Sequence, residues 1–598
     1  MKGILSLLLL AIVIMPLHSS NVIIEVSKAY PTTEFGKCKI KMHCLKDAFD
    51  YCNKYKGEKE IEIVLKDVVN IIDATLTLKS TKVPITIKAK KGVSKITSGN
   101  IITDNVSQRG DTLIFPLESQ CWKAIVNGTN VPATTFSTDE PMKQLQGVKK
   151  IDDNHYTAKL SSNEILKLEI GCDLFLYARW QCYKLQLTDI DSKTNSVSLT
   201  TMGKKAMYAL DEGVRYAIYN SRHVMQPGTF CWRDGKVYYL KKKDEDVSKI
   251  GFSIPTVATL MHIRECKNVI FKNISFENAI LDNWYFQEIQ GSALSSKAVH
   301  VEYSSNINFI NCDFHNNMGY SLAIGNHSSN CTISRCCFTE LQGGGIILGM
   351  EGGDKTNGII IDDNLIQGFG RINVCCEGIL SQRAHHVTIT NNTINDGYYT
   401  GINLGWTWGY GESFAYNNYV SNNHIHHLMQ GVLDDGGGIY TLGVQNGTVI
   451  ENNYIHDIYA YKDMVCLIYL DEGTSEITVR NNVCFSSKRG ISVSYGNNNF
   501  IEGNVIGIVD NWGIRLSYPK KVKNIVFRGN KIFDSSGIDI DNGIPEDSKD
   551  SNIVVSEISL PKRRFEIPFL YKEKLLAKKF RYGCVSRRLK NVEKVDDF

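Results

Sequence analysis

A short apolar strand that opens on Gly-Ile or its equivalent returns at Ile402, Ile439, Ile468, Ile491 and Ile514, after 37, 29, 23 and 23 residues. Upstream the same element returns at Val299, Leu322, Ile346, Ile379 and Ile402, after 23, 24, 33 and 23. Half a period away stands a second series, Asn364, Asn392, Asn423, Asn453, Asn482, Asn504 and Asn530, each followed by an x-Ile or similar step. Each interval holds at least two short strands and several tight turns, and no helix-length segment. Such a unit cannot bury its apolar side alone, so it must stack on its copies. Val387, Ile389 and Ile394 follow strand alternation rather than a 3.6-residue period. The pattern predicts an all-β fold, a right-handed parallel β-helix of about ten coils with the recurring asparagines in its turns. Each asparagine side chain is expected to bond backbone groups and the asparagine one coil away.

The ends and one interruption frame the coils. Residues 1–20 carry Lys2, an apolar run from Ile4 to Met15 and a small-residue finish, Ser19-Ser20, which reads as a signal peptide. The run is too short to span a bilayer, so a secreted or periplasmic protein with no membrane span is expected. Residues 21–109 hold a cap and the first coils: Leu45, Ala48, Phe49 and Cys52 share one helical face, and a helix there would cover the open strand edges at the solenoid's end. Over residues 110–254 the coil pattern stops. Strand-like runs and an Asp234-Gly235 hairpin predict an inserted, β-sandwich-like all-β domain. Coils resume over 255–545, and 546–598 form a basic tail.

Net charge is +4, but from Pro561 onward 12 Lys or Arg stand against 5 acids, leaving 55 against 58 elsewhere. A near-neutral body argues against a nucleic-acid partner, and the tail reads as a solvated terminus. The 17 cysteines suggest disulfides in an exported chain. Their placement says otherwise, because Cys312 and Cys336 fall in the asparagine position and Cys336-Cys337 and Cys375-Cys376 are adjacent inside coils, so most are expected to be buried thiols.

Acidic doublets mark the chemistry. Asp434-Asp435 open the coil at Ile439, and Asp471-Glu472 close the next strand at Ile468, each doublet beside glycine. Two carboxyls facing one sugar are what glycosidic cleavage needs, one to protonate the leaving oxygen and one to attack or to activate water. On flat strands the separation of Asp435 and Asp471 would be roughly 23 Å, so the pair requires Gly436-Gly437-Gly438 to fold the chain back. Otherwise Asp471 needs another partner, such as Glu351 or Glu377.

Four stretches resemble the β-helix glycosidases of glycoside hydrolase family 141 and, more distantly, family 120: PITIKA, the run from VRYAIYN to MQPGTFCWRDGKVYYL, GINLGWTWG, and the pair DDGGGIYTLG and IYLDEG. The resemblance implies an exported enzyme cutting fucoside- or xyloside-containing plant cell-wall glycans; an oligo- or polysaccharide substrate, no cofactor and a monomer are expected. Its Asp-x-Gly-x-Ile-Tyr and Tyr-x-Asp-x-Gly patterns select Asp435 and Asp471 as the catalytic pair, with Asp434, Glu472, Glu377 and Glu351 as alternates.

Sugars present apolar C–H faces that aromatic rings complement. Trp406 and Trp408, two apart, are expected to point the same way from one strand; Tyr440 and Tyr469 share a register, and Tyr495 stands near the end of the following coil. His424 and His426 could share a strand face, but no third ligand is apparent, so no metal is expected and His424 is kept as a sugar contact. His385, His386 and His456 read as turn residues. A polysaccharide lyase or a non-catalytic glycan-binding β-helix are the alternative readings. The first would need a Lys, Arg or Tyr base and usually a cation clamp of acids; the second has no use for two acid doublets.

Overall fold

A computed structural model describes residues 21–36, 38–102, 106–136, 143–201, 213–282, 290–350, 355–540 and 553–561. The proposed signal peptide and most of the basic tail lie outside the described residues. The chain winds as a right-handed parallel β-helix whose walls are one sheet of sixteen strands and two of twelve. Two walls therefore count twelve rungs, more than the ten expected, because Leu76–Lys79 and Val69–Ile72, before the insert, and the short strands after Ile514 also join the stack. Among the described residues no helix is long and apolar enough to cross a membrane.

Register explains the repeat. Leu322, Ile346, Ile379, Ile402, Ile439, Ile468, Ile491 and Ile514 stand one above another on consecutive rungs, all fully buried. Each removes an aliphatic side chain from water, a contribution of roughly 1.5–3 kcal/mol. The next residue on each rung points outward, giving a column Ala323, Ile347, Leu380, Asn403, Tyr440, Tyr469, Ser492, Arg515. Other segments cover most of that column: Ala323, Ile347 and Leu380 lie under Trp406, and Tyr440, Tyr469 and Ser492 are also buried.

The asparagine series forms a continuous ladder. Asn364, Asn392, Asn423, Asn453, Asn482 and Asn504 each donate from Nδ2 to Oδ1 of the next, at 2.9–3.0 Å, and the last acceptor is Asn530. Each acceptor also receives the backbone N–H of its predecessor, for example Asn453 N to Asn482 Oδ1 at 3.0 Å. Buried turn amides are satisfied this way without water. Cys336 continues the ladder upstream: its N–H donates to Asn364 Oδ1 at 2.8 Å, and its Sγ accepts from Cys312 N. Apart from Cys38, the described cysteines are free thiols, all buried but Cys44.

At the N-terminal end the helix Leu45–Lys54 buries Leu45, Ala48, Phe49 and Cys52. Asn53 donates from Nδ2 to Thr77 O at 2.9 Å and accepts the Lys79 N–H at 2.8 Å. One side chain thus occupies the hydrogen-bonding edge of the terminal strand Leu76–Lys79, which would otherwise stand open to another chain.

The interruption is antiparallel. Asn100–Ile102 already pairs with Phe252–Ile254, so the chain leaves the coil before Gly110, and Met261–Arg264 resumes it directly on Leu76–Lys79. Between these points lie two four-stranded sheets and a seven-stranded sheet with its own core around Tyr156, Leu176, Leu185 and Ile218.

Candidate active site

The rungs Gly436–Thr441 and Val465–Leu470 depart from strand alternation. Leu467 and Ile468, neighbours in sequence, both face the core, whereas Cys466 and Tyr469 face out with Tyr440 and Leu442. A Cβ at Gly438 would run into Ile455 of the core and the Leu467 carbonyl oxygen. The strand bends here, and glycine is what permits it. Asp435, just before the bend, is in the left-handed region at φ 60° and donates its N–H to Met464 O at 2.7 Å. Asp471, just after the next rung, donates its N–H to Thr441 O at 3.0 Å.

The two carboxyls feel each other. Burial pushes Asp435 up to about 8, and the charges of Asp471 and then Asp434 add to the shift. Asp471 is raised less: burial lifts it, while the Tyr440 and Tyr469 hydroxyls, as donors, hold it down. Tyr440 Oη donates to Asp471 Oδ2 at 2.6 Å, whereas Asp435 Oδ1 is buried without a hydrogen-bond partner. Both carboxyls are thus raised, Asp435 to about 8 and without a hydrogen-bond partner at Oδ1, Asp471 against the opposing pull of two tyrosine hydroxyls. Both residues are half-buried, with Asp435 Oδ1 itself shut off from solvent.

Both ends of this face are walled. At one end the hairpin turn Arg179-Trp180 of the inserted region meets the acidic doublet, with Arg179 O accepting the Asp434 N–H at 2.8 Å and the Arg179 charge acting to lower Asp435. The hairpin is held in place by Arg215, which donates to Val432 O and stacks on Tyr461 at 3.5 Å. At the other end the segment after Leu404 crosses toward the Asp471 loop, where Gly409 N–H donates to Glu472 O at 3.3 Å. A Cβ at Gly473 would collide with Gly409 O. Tyr495 donates to Glu472 Oε2 at 3.2 Å and packs edge-on against Tyr410 at 5.8 Å. A separate hollow lined by Tyr410, Glu412, Tyr416, Asn417 and Asn446 opens beyond this wall and includes neither carboxyl.

Several expected positions change meaning. The strand ends at Leu404, so Trp406 and Trp408 lie in a loop and meet edge to face, 5.4 Å apart, rather than sharing a direction. Trp406 is buried among Tyr320, Ile347, Cys376 and Leu380, while Trp408 is 51% exposed. Glu377 is fully buried; burial pushes it up to about 8, Asn403 Nδ2 donates to its Oε1 at 3.0 Å, and its Oε2 has no partner. It lies behind Trp406, since a Cβ at Gly291 would stand 3.3 Å from Glu377 Oε1 and 3.5 Å from the Trp406 ring. Asp434 is buried and accepts the Met464 N–H at 3.1 Å, a turn-holding role, and Glu472 is exposed. Glu351 lies outside the described residues.

The histidines are also placed differently. His424 belongs to a different wall from the carboxyls, and His456 is a buried strand residue, not a turn. Stacking supplies the third ring that sequence spacing lacked, because His426 is register-paired with His456. Arg179 illustrates what sequence reading passes over, whereas Glu377 stands there only as an alternate. Arg179 sits in an unremarkable two-residue hairpin far upstream, and Glu377 carries only an isolated acid beside a cysteine pair.

The right handed beta helix region family matches residues 297–506 and 377–557. A solved structure titled "Glycoside hydrolase" superposes with a TM-score of 0.68 at 17% identity, covering 85% of this chain and 96% of its own. One titled "The complex structure of XylC with xylose" gives 0.46 at 11% identity, covering 90% and 86%. No curated protein matches the chain.

Proposed function

We propose that the protein is an exported glycoside hydrolase in which Asp435 protonates the leaving oxygen and Asp471 supplies the opposing carboxylate. The observation that carries this reading is the contrast between two acids beside consecutive rungs: Asp435 is unbonded at Oδ1 and raised to about 8, whereas Asp471 accepts the Tyr440 hydroxyl at 2.6 Å. As the C1–O bond breaks, the Asp435 proton goes to the departing oxygen, and positive charge gathering at the anomeric carbon is met by the Asp471 carboxylate. Water then completes the cut, giving a new reducing end. Tyr440 and Tyr469 floor the face, Trp408 offers an exposed ring for a sugar, and Arg179 walls the acid's side.

The fold shared with a structure titled as a glycoside hydrolase and the resemblance to family 141 support the class, and the resemblance points to fucoside- or xyloside-containing cell-wall glycans. Purified protein on aryl glycosides and branched oligosaccharides tests it beside Asp435→Asn and Asp471→Asn. Loss of new reducing ends in both variants is expected. Full activity in either, or a product absorbing in the near ultraviolet as an unsaturated uronide would, overturns the assignment.

A further inference from the structure

On the outer face of the other twelve-stranded wall, three imidazoles converge from two consecutive rungs. His424 and His426 are on His424–Leu428 and His456 on Tyr454–Ile458, with Ile425 and Ile455 turned to the core. One ring nitrogen from each lies within 4.8 Å of the others. His424 Nε2 and His456 Nε2 are 2.8 Å apart, and the ring centroids of His424 and His426 are 4.2 Å apart.

The surroundings fix which nitrogens face one another. His456 Nδ1 lies 2.6 Å from Asp457 Oδ2, so the carboxylate takes that N–H and leaves the Nε2 lone pair turned into the cluster. His426 Nδ1 lies 2.7 Å from His427 Nδ1, which likewise leaves its Nε2 inward. A carboxylate behind a histidine is the arrangement that orients metal ligands and raises their basicity. Asn395, register-paired with His426 on the rung before, keeps a buried Oδ1 with no hydrogen-bond partner. His424 and His426 are half-buried, so an ion can reach them from solvent.

We propose that His424, His426 and His456 bind one divalent transition-metal ion of the zinc type, oriented by Asp457 and clamping two consecutive coils. Three imidazoles and an open fourth position suit Zn²⁺, with bonds of about 2.0–2.1 Å that place neighbouring nitrogens about 3.3 Å apart. From 2.8 Å that is a small outward adjustment of two rings. The clamp is separate from the carboxyls, and its test reads binding rather than turnover.

The experiment uses the untagged full chain, stripped with chelator and titrated with Zn²⁺ against a chromophoric competitor, with Co²⁺ spectra to separate imidazole from thiolate ligation. One tight equivalent is expected, with a raised Tm and Co²⁺ d–d bands lacking a thiolate charge-transfer band. The double variant His424→Gln/His426→Gln should lose at least 100-fold in affinity, and Asp457→Asn, which leaves all three rings in place, 10–100-fold. Asp435→Asn should bind as wild type. No tight equivalent in the wild type, a thiolate band, or wild-type affinity in the double variant and in Asp457→Asn overturns the proposal.

Discussion

Tyr440 Oη donates to Asp471 Oδ2 at 2.6 Å across two consecutive rungs, a hydrogen bond that works against the burial that raises this carboxyl. Tyr440→Phe removes that donor with little change of shape. A hydrogen bond to an ionised group is worth about 1.5–3 kcal/mol. Asp471 should therefore ionise one to two pH units higher, moving the acidic limb of the kcat/KM profile upward by about that much. An unchanged acidic limb would separate Tyr440 from the chemistry.

In the proposed mechanism the alkaline limb belongs to Asp435. Activity should fall as pH passes about 8, where the buried carboxyl gives up its proton. The Arg179 charge acts to lower that pKa, so Arg179→Ala should move the alkaline limb further up, not down. A pH series of kcat/KM on both proteins checks the sign.

Stability carries the same signature. Asp435 holds its proton more tightly folded than unfolded, so its favourable contribution is complete below about pH 4 and is lost as pH rises to about 8. Asp435→Asn should match the wild type near pH 4 and exceed it at pH 8, by on the order of 2 kcal/mol, since the residue is only half-buried. Denaturant unfolding at both pH values measures this.

The ladder should be costly to break. Asn453 accepts from Asn423 N and Nδ2 and donates to Val420 O and Asn482 Oδ1, all buried. Asn453→Ala strands these partners without water, and a loss of about 2–5 kcal/mol is expected. Chemical denaturation reads it directly.

The two tryptophans should part company. Trp408→Ala should raise KM several-fold with stability nearly unchanged, because the ring is largely exposed. Trp406→Ala should cost about 3–5 kcal/mol by opening a cavity over Tyr320 and Leu380. Paired kinetics and thermal unfolding distinguish them.

What the sequence determined was everything that repeats along it. The isoleucine column, the asparagine ladder with Cys312 and Cys336 continuing it, and the capping face of Leu45, Ala48, Phe49 and Cys52 each rest on local spacing, which parallel stacking copies from rung to rung. Contacts between rungs, or outside them, are not legible in that spacing. Asp435 and Asp471 interact because the strand bends at Gly438 against Ile455, a packing event that flat-strand counting cannot contain. His456 joins His424 and His426 because a loop of particular length sets the register between two rungs, and Arg179 arrives from an inserted region more than two hundred residues upstream. Trp406 turns inward because the strand stops at Leu404, after which its direction is set by the apolar neighbours it finds rather than by alternation.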